Sequence, residues 1–432
     1  MSPELAVGLV TMFGLAAIGT PIGYAIIVGA VAYLVVAGQD VALAGEQILA
    51  GLYESFVLLA VPLFIIAANL MNAGTISQKL LQFCVAVVGR FRGGLGSVNI
   101  VSSLIFSGMS GSAVADVAGI GKIIIAMMTG AGRYPRGYAA AITAASATIG
   151  PIIPPSIPMV LYALVSNTSI GFLFLGGILP GLLMGMLLLL MNHVIAAKRG
   201  FAEEVAVPLR ELPGYTLRAF PALLMPSILL YGIYGGVTTP TEAAAVAAAY
   251  ALLLAGLFYR ALSLRALYQI LVESARTSAA VGVVIGGALI LNYIVASENL
   301  PATVAAALVG LDIEPLLFLL AINLLLLLLG CVLDATTIIL VVLPLFVPTC
   351  RELGIDLVHF GVIAVVNCMI GLITPPYGIL LFVVNAVTRI PLAEMIREIW
   401  GFICALIAAL LLLILFPDIT LFLPRLFGYA GS

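Results

Sequence analysis

Two apolar stretches of the chain are interrupted by short runs of glycine and hydroxyl residues, which are able to bind ions and polar solutes inside an apolar environment. Ser107–Ser112 interrupts the stretch 96–130, and Gly330–Thr337 interrupts the stretch 314–350. Glycine releases the backbone from helical dihedral angles, so carbonyl and hydroxyl oxygens become free to coordinate a hard cation such as Na⁺. The helix after each interruption would direct its N-terminal amides at the break and could bind an anionic group.

Each of these clusters is accompanied by a carboxylate. Asp116 follows the first cluster by one turn, and Asp334 lies within the second. A carboxylate inside an apolar segment is a functional candidate, although Asp334 could equally cap the helix that starts at Ala335, and the two roles are compatible. For the first cluster the alternative is a close helix crossing through small residues. Unpaired backbone groups at mid-membrane depth are costly unless they line a cavity, which favours a binding site.

Paired prolines break two further apolar stretches. The stretch 137–166 contains Gly150–Ser156, and 357–388 contains Gly371–Gly378, each with two consecutive prolines near its centre. Proline lacks an amide donor and pushes the preceding residue toward extended geometry, so neither helix can continue through its pair. A kink without function is the alternative. Because both pairs fall at corresponding places in the two halves, we predict discontinuous spans whose free carbonyls help to form a binding site.

The composition places these elements in a lipid bilayer. Of 432 residues, 63% are hydrophobic and only 8% are charged, whereas a soluble domain carries about 25% charged residues. The net charge of −2 argues against nucleic-acid binding, and the chain has no glycine-rich loop for ATP. The five cysteines and two histidines are scattered, so no metal site other than one for Na⁺ and no cofactor are expected. The N-terminus lacks the basic region of a cleavable signal peptide.

Hydrophobic runs predict ten membrane spans in addition to the two stretches interrupted by glycine. The candidate spans are residues 4–18, 22–38, 55–72, 137–166, 170–197, 218–236, 241–259, 277–296, 357–388 and 395–416. The amphipathic segments 41–53, 75–91 and 263–273 suit interfacial helices. Asparagines within spans are interpreted as helix–helix hydrogen-bonding residues rather than ligands. They are Asn69, Asn72, Asn292, Asn367 and Asn385.

The two halves of the chain repeat each other at an offset of about 220 residues. Thr20-Pro21 corresponds to Thr239-Pro240, and Glu54-Ser55 corresponds to Glu273-Ser274. The proline pairs of the two broken spans fall at corresponding positions with a drift of two residues. The constant offset predicts an internal repeat, with one copy in residues 1–217 and the other in 218–432.

Charges indicate how the two copies are related. The segment 39–54 carries acidic residues and no basic one, whereas its partner 260–276 carries three arginines. The segment 75–93 is basic, and its partner 297–314 is acidic. Because basic loops stay in the cytoplasm, equivalent loops should lie on opposite sides of the membrane. The repeats are therefore predicted to be inverted, which is the plan of many secondary transporters.

The same rule predicts the orientation of the chain. The N-terminus, Ser166–Ser169, Val237–Thr241 and Asp418 should lie outside, while Arg351 and Arg425 do not fit the scheme. The residues expected in the cytoplasm are Lys79, Arg90, Arg92, Arg133, Arg136, Lys198, Arg199, Arg210, Arg218, Arg260, Arg265, Arg389 and Arg397. The stretch 96–130 has basic flanks on both sides, so it should be a re-entrant hairpin from the cytoplasm, with 314–350 as its mirror image. Two fully crossing spans per stretch would give the same charges.

The predicted fold class is thus an all-α polytopic membrane protein with two inverted repeats, two re-entrant helical hairpins and two discontinuous helices. At these elements the chain resembles the large membrane subunit of tripartite ATP-independent periplasmic (TRAP) transporters, which belong to the ion transporter superfamily. The resembling motifs span most of the chain. They are SGSAVADVAGIG at 110–121, GPIIPPSIPM at 150–159, TPTEAAAVA at 239–247, LDATTIILVVLP at 333–344 and ITPPYG at 373–378.

The resemblance implies Na⁺-coupled uptake of a small organic acid, such as a C4-dicarboxylate, across a bacterial inner membrane by an elevator movement. It also implies two partners, a periplasmic substrate-binding protein and a small four-helix membrane subunit. Carried over to this chain, the cation ligands would be Ser107, Ser110, Gly111, Ser112, Gly150, Pro154, Gly330, Asp334, Thr337, Gly371 and Thr374. The substrate contacts would be Ser112, Pro155, Ser156, Thr336, Thr337, Pro376 and Tyr377.

Three other functions fit parts of the pattern. A stand-alone Na⁺/dicarboxylate carrier shares hairpins and inverted repeats but needs no binding protein. An intramembrane protease would need a pair such as Asp116 and Asp334, yet both lie among glycines and hydroxyls and no GxGD motif occurs. A channel is a third alternative, but two hairpins acting as gates favour a carrier over a channel.

Overall fold

The computed structural model describes residues 2–72, 74–90, 93–201, 207–300, 302–303 and 313–431. The predicted loop charges Arg92 and Asp312 therefore lie outside the described residues, as does the side chain of Glu54. Throughout the described part the chain is helical, in agreement with the predicted fold class.

The helices are short where glycine or proline interrupts an apolar run and long elsewhere. The first half contains α1 (Pro3–Ala17), α2 (Ile22–Val36), α3 (Ala42–Glu54), α4 (Ala60–Met71), α5 (Gly74–Val88), α6 (Gly94–Ser110), α7 (Ala113–Asp116, continued by a π-turn at Val117–Gly121 and by Lys122–Thr129), α8 (Arg136–Ala147), α9 (Ile157–Ser166) and α10 (Ile170–Arg199).

The second half continues in the same manner. It contains α11 (Leu212–Tyr234), α12 (Pro240–Leu253, continued by a π-turn at Leu254–Phe258), α13 (Leu264–Ser297), α14 (Pro315–Gly330), α15 (Ala335–Thr337, continued by a π-turn at Ile338–Val342 and by Leu343–Leu345), α16 (Val347–Glu352), α17 (Leu357–Gly371), α18 (Ile379–Thr388), α19 (Leu392–Leu415) and α20 (Pro417–Leu426).

Five of the described helices are long and apolar enough to cross a membrane alone, namely α10, α11, α12 with its π-turn, α13 and α19. A sixth span results if Ala42–Tyr53 and Phe56–Met71, which meet at 72°, count as one. The other apolar helices have 10–17 residues, fewer than the about 20 that cross the hydrocarbon core. The chain therefore relies on pairs of short helices where the sequence predicted single interrupted spans.

One predicted boundary is wrong. Residues 263–273 were expected to form an interfacial helix separate from a span at 277–296, but both belong to the single 34-residue helix α13. The segment between them contains no glycine or proline, so nothing in the backbone ends the helix. At 1.5 Å per residue α13 is about 51 Å long, and its N-terminal half is largely exposed, with Ser274 buried, while its C-terminal half is buried from Ile285 onward at several positions.

The predicted breaks at the two glycine-rich clusters are confirmed. The helix α6 ends at Ser110, and Gly111 adopts a left-handed conformation with φ of 59° that favours glycine. The chain then doubles back, because both Ala113–Asp116 and Lys122–Thr129 pack against α6. The helices α6 and α7 are called the first hairpin, and α14 and α15, which also contact each other, the second hairpin.

The breaks at the proline pairs are confirmed as well. The helix α8 ends at Ala147 and α9 begins at Ile157. The helix α17 ends at Gly371 and α18 begins at Ile379. The peptide bonds Pro154–Pro155 and Pro375–Pro376 are both cis. We call α8 with α9 the first broken span and α17 with α18 the second.

The broken spans form the centre of the molecule. Every residue of α17 is buried, and α8 is buried from Gly137 to Ala147. A helix that is apolar on all sides must be covered by protein or lipid on all sides, and here neighbouring helices cover it. In contrast, α1, α2 and part of α13 pack together around smaller clusters of their own, which include Tyr33 and Ile290. These peripheral helices, with α4, are called the scaffold.

Candidate functional site

A cavity of about 610 Å³ lies where both hairpins, both broken spans and the scaffold meet. The hairpin tips contribute Ser110–Ala113 and Asp334–Thr336, and the broken spans contribute residues next to their breaks. The four interrupted segments, which are far apart in sequence, are thus brought together around one cavity, whose mainly apolar walls carry several polar side chains. From the broken spans the lining includes Pro151, Ile157, Pro158, Met369, Leu372 and Ile379.

Each hairpin tip packs tightly on the broken span of its own half. A Cβ atom on Gly111 would collide with the carbonyl oxygen of Pro155, so only glycine fits there. In the second half, a Cβ atom on Gly371 would lie 2.7 Å from the Cα atom of Gly330. The absence of side chains lets the backbones meet, which places carbonyl groups from a tip and from a break side by side.

The first hairpin contains a buried carboxylate without a partner. Asp116 is only 1% exposed, and neither carboxylate oxygen accepts a hydrogen bond from any described group. It lies against Gly150 of the first broken span, where a Cβ atom would be 2.5 Å from Oδ2. The hydroxyl of Ser110, which is also buried, lies beside this carboxylate but makes no hydrogen bond of ordinary geometry. A buried charge that nothing compensates is unstable, so this position requires a cation or a proton.

The second hairpin carries its carboxylate differently. Asp334 precedes the first residue of α15, accepts from the Thr337 amide at 3.1 Å and accepts from the Thr337 hydroxyl at 2.5 Å. The predicted N-cap role is therefore confirmed. Asp334 also lines the cavity, whereas Asp116 is sealed behind the first tip, so the two carboxylates have different surroundings.

Five of the predicted site residues line the cavity, namely Ser110, Gly111, Ser112, Asp334 and Thr336. Ser112 also caps α7 by accepting from the Ala115 amide at 3.4 Å. The predicted residues Gly150, Pro154, Pro155 and Gly371 lie at the breaks behind the tips, and Gly330 ends α14 against Gly371; none of the five lines the cavity.

Several predicted hydroxyl ligands donate to their own segment of backbone. Ser107 donates to the Leu104 carbonyl at 2.6 Å, Thr374 donates to the Ile370 carbonyl at 2.7 Å, and Ser156 donates to the Pro151 carbonyl. Their second lone pairs stay available to an ion. Thr337 donates to Asp334 as described above. Tyr377 is 58% exposed, and neither it nor Pro376 lines the cavity.

The scaffold wall of the cavity holds polar residues that sequence reasoning did not assign to the site. Asn69 donates to the Ser274 hydroxyl at 2.8 Å, as expected of a helix–helix hydrogen bond. Asn72 reaches toward the Ala115 carbonyl at 3.5 Å, and Glu273 and Thr277 project from α13. The available signal was the spacing of Glu273 and Thr277 on one face of a helix. It was missed because 263–273 was interpreted as interfacial.

The predicted ligand set also omitted Asp116. Its sequence signal was a carboxylate within an apolar run, one turn after a glycine-rich break. The lack of any partner became visible only in the packed structure.

Broken helices that meet around a cavity with polar side chains, inside an apolar many-helix bundle, define a membrane transporter rather than an enzyme. The chain belongs to the family described as "Tripartite ATP-independent periplasmic transporter, DctM component", whose sequence model matches residues 9–419. It is therefore a multi-pass membrane protein and the large permease of a TRAP transporter, as its resembling motifs predicted.

Characterised relatives cover nearly the whole chain. The sialic acid TRAP transporter large permease protein SiaM of Vibrio cholerae is 43% identical over 96% of this chain and 97% of its own length. The C4-dicarboxylate TRAP transporter large permease protein DctM of Pseudomonas aeruginosa is 39% identical over 87% of this chain and 88% of its own. These two relatives are named for different substrates.

A solved structure supports the fold. The YdaH transporter of Alcanivorax borkumensis superposes with a TM-score of 0.62 over 87% of both chains, at 16% sequence identity. At that identity the likeness concerns the fold alone.

Proposed function

We propose that this large TRAP permease uses a Na⁺ gradient to import a small organic acid across a bacterial inner membrane. The observation that carries the proposal is the cavity bounded by both hairpin tips and both breaks, with the unpaired Asp116 behind one tip. Relatives are named for sialic acid, C4-dicarboxylates and 2,3-diketo-L-gulonate. The class of organic acids therefore fits better than any single member of it, including the C4-dicarboxylate expected from sequence.

Each half would hold one cation between its tip and its break. In the first half the ligands are the oxygens of Ser107, Ser110–Ser112, Gly150 and Pro154, and Asp116 supplies the compensating charge. Backbone and hydroxyl oxygens with one carboxylate suit a hard monovalent ion. In the second half the ligands come from Gly330, Asp334, Thr337, Gly371 and Thr374. A cation at either site would also place positive charge beside the cavity.

The substrate would lie between the two tips. Among the described lining residues none is lysine, arginine or histidine, so the acid group must be held by other donors. Ser112 and Thr336 offer hydroxyls at the starts of α7 and α15, where helix amides add positive potential. Pro155, Ser156, Pro376 and Tyr377 would then act from the breaks or in another conformation, since they lie outside this cavity.

The cavity is not symmetric between the two hairpins, which supports an elevator movement. It follows α7 from Ala113 to Gly119 but touches the second hairpin only at its tip, and it runs along the N-terminal half of α13. In the orientation given by the loop charges, with the N-terminus periplasmic, this side is cytoplasmic. The inverted repeats 1–217 and 218–432 would supply the opposite opening when hairpins and broken spans move past the scaffold.

A TRAP system pairs the large permease with a small permease and a binding protein. We propose that this chain works with a four-helix small subunit and a periplasmic substrate-binding protein. The alternative is a stand-alone Na⁺/dicarboxylate carrier, which would transport without either partner.

The test is uptake of radiolabelled organic acids into proteoliposomes containing the permease, with and without the small subunit and the binding protein of its system. We expect accumulation only with both partners and an inward Na⁺ gradient, and none when K⁺ replaces Na⁺. Equal uptake without partners would favour the stand-alone carrier. Uptake driven equally well without Na⁺ would overturn the coupling.

A further inference from the structure

One face of α13 forms the scaffold wall opposite the hairpin tips. Its lining residues Ile270, Glu273, Thr277 and Val281 are separated by three or four positions, so they project from the same side of the helix. Glu273 and Thr277 are exposed, and Ser274 beside them is buried against Asn69, so this part of α13 has one side on the protein and one side open to the cavity. The wall therefore presents a carboxylate to the space where the substrate would bind.

The charges of the cavity distinguish Glu273 from the other acidic group. Among the described lining residues, the charged side chains are Asp334 and Glu273. Both oxygens of Asp334 already accept from Thr337, at 3.1 Å and 2.5 Å. The carboxylate of Glu273 accepts no hydrogen bond from a described residue and forms no described ion pair. It is thus the acidic group in the cavity that is free to meet a ligand.

A second acceptor lies on the same wall. The side-chain oxygen of Asn72 is buried and accepts no hydrogen bond from the described part of the chain, while its nitrogen faces the Ala115 carbonyl at 3.5 Å. In this orientation of the amide, its oxygen is the acceptor that lacks a donor. Buried acceptors without donors are costly. A ligand with hydroxyl or ammonium groups would satisfy both Asn72 and Glu273.

We propose that Glu273 recognises the end of the substrate that lies farthest from the substrate's own acid group. The preferred solutes would then carry one carboxylate and several hydroxyl groups. The proposal rests on the function proposed above. A free carboxylate accepts hydrogen bonds from hydroxyls, and bonds to a charged acceptor are stronger than neutral ones. The same carboxylate repels a second carboxylate of the solute, in a cavity without a basic side chain among its described residues. Hydroxy monocarboxylates are therefore favoured over dicarboxylates.

The test compares acids that differ only in one terminal group. Glycerate and tartronate, threonate and tartrate, and gluconate and glucarate each exchange a terminal CH₂OH for a carboxylate. Binding of all six is measured by calorimetry to the full permease with its small subunit in nanodiscs containing Na⁺. The binding protein is left out so that its own selectivity does not enter. The variants are Glu273→Gln, Glu273→Asp and, as a matched control, Glu211→Gln, an exposed glutamate before α11.

We expect the wild-type protein to bind the hydroxy monocarboxylate of at least one pair tenfold or more tighter than its dicarboxylate, which is about 1.4 kcal/mol. Glu273→Gln should reduce this ratio at least fivefold, Glu273→Asp should retain part of it, and Glu211→Gln should leave it unchanged. An unchanged ratio in Glu273→Gln, or a wild-type preference for dicarboxylates, overturns the role of Glu273 while leaving organic-acid transport intact. Failure of the wild type to bind any of the six in Na⁺ overturns the proposed function itself.

Discussion

Asp116→Asn should make the permease more stable without Na⁺ and less responsive to Na⁺. In the structure Asp116 is 1% exposed and both of its oxygens lack a partner. An ionised carboxylate in such a place costs several kcal/mol of folding free energy. An unpaired neutral amide of the same shape costs only about 1–3 kcal/mol. The variant should therefore gain roughly 1–3 kcal/mol in Na⁺-free buffer if the carboxylate is charged there, and less if a proton neutralises it.

The response to Na⁺ changes in the opposite direction. A cation that binds only the folded protein stabilises it by about 2.7 kcal/mol when its concentration is a hundred times the dissociation constant. Removing Asp116 deletes the compensating charge of the first site. We expect the Na⁺-dependent part of the stabilisation to fall by about half, because the second site, around Asp334, stays intact.

The assay is thermal unfolding of the detergent-solubilised protein during a titration of NaCl against choline chloride at constant ionic strength. The control is Asp418→Asn, since Asp418 is an 82% exposed aspartate paired with Arg425 at 2.6 Å. Such a surface pair contributes about 0–1 kcal/mol, so its loss should leave the Na⁺ titration unchanged. A Na⁺ response in Asp116→Asn identical to that of the wild type would refute the placement of a cation at the first tip.

Three further substitutions test packing, two of them at the site and one at an ion pair outside it. Gly111→Ala should abolish Na⁺-driven uptake, because the new methyl group would collide with the Pro155 carbonyl. The control is Gly38→Ala, since Gly38 also has a positive φ but has open space around it. This control should keep uptake near the wild-type level. Gly371→Ala should lower the unfolding temperature and the Na⁺ affinity together, and a normal Na⁺ titration would contradict the backbone contact with Gly330. Arg199→Gln should cost at most about 1 kcal/mol in a thermal melt, since its pair with Glu398 at 2.7 Å is 41% exposed on the arginine side.

The sequence predicted where helices stop because the causes are local. Glycine at 111 and proline pairs at 154 and 375 change the backbone at their own positions whatever surrounds them. The membrane environment was predictable from the composition, and the family from motifs at the breaks and elsewhere in the chain. The continuity of α13 through residues 273–277 could have been predicted as well, since no residue there ends a helix.

The ligand assignments depended on packing and were harder to predict. Ser110 and Ser112 face the cavity, but Ser107 and Ser156, of the same chemical type and in the same breaks, bond to nearby backbone carbonyls. Hydrophobic periodicity usually tells which face of a helix is buried. It fails for segments such as α17, which is buried on every side.

The sequence alone therefore determined that the chain lies in a lipid bilayer, which family it belongs to, and at which positions the chain leaves helical geometry. The tertiary structure decided that Asp116 is sealed without a partner, that Asp334 caps a helix while bordering the cavity, and that Glu273 faces the two tips from the scaffold. The physical reason is that a break in a helix is a property of a few adjacent residues. Whether a buried charge has a partner depends on segments outside its own helix, as Gly150 of the first broken span lies against Asp116.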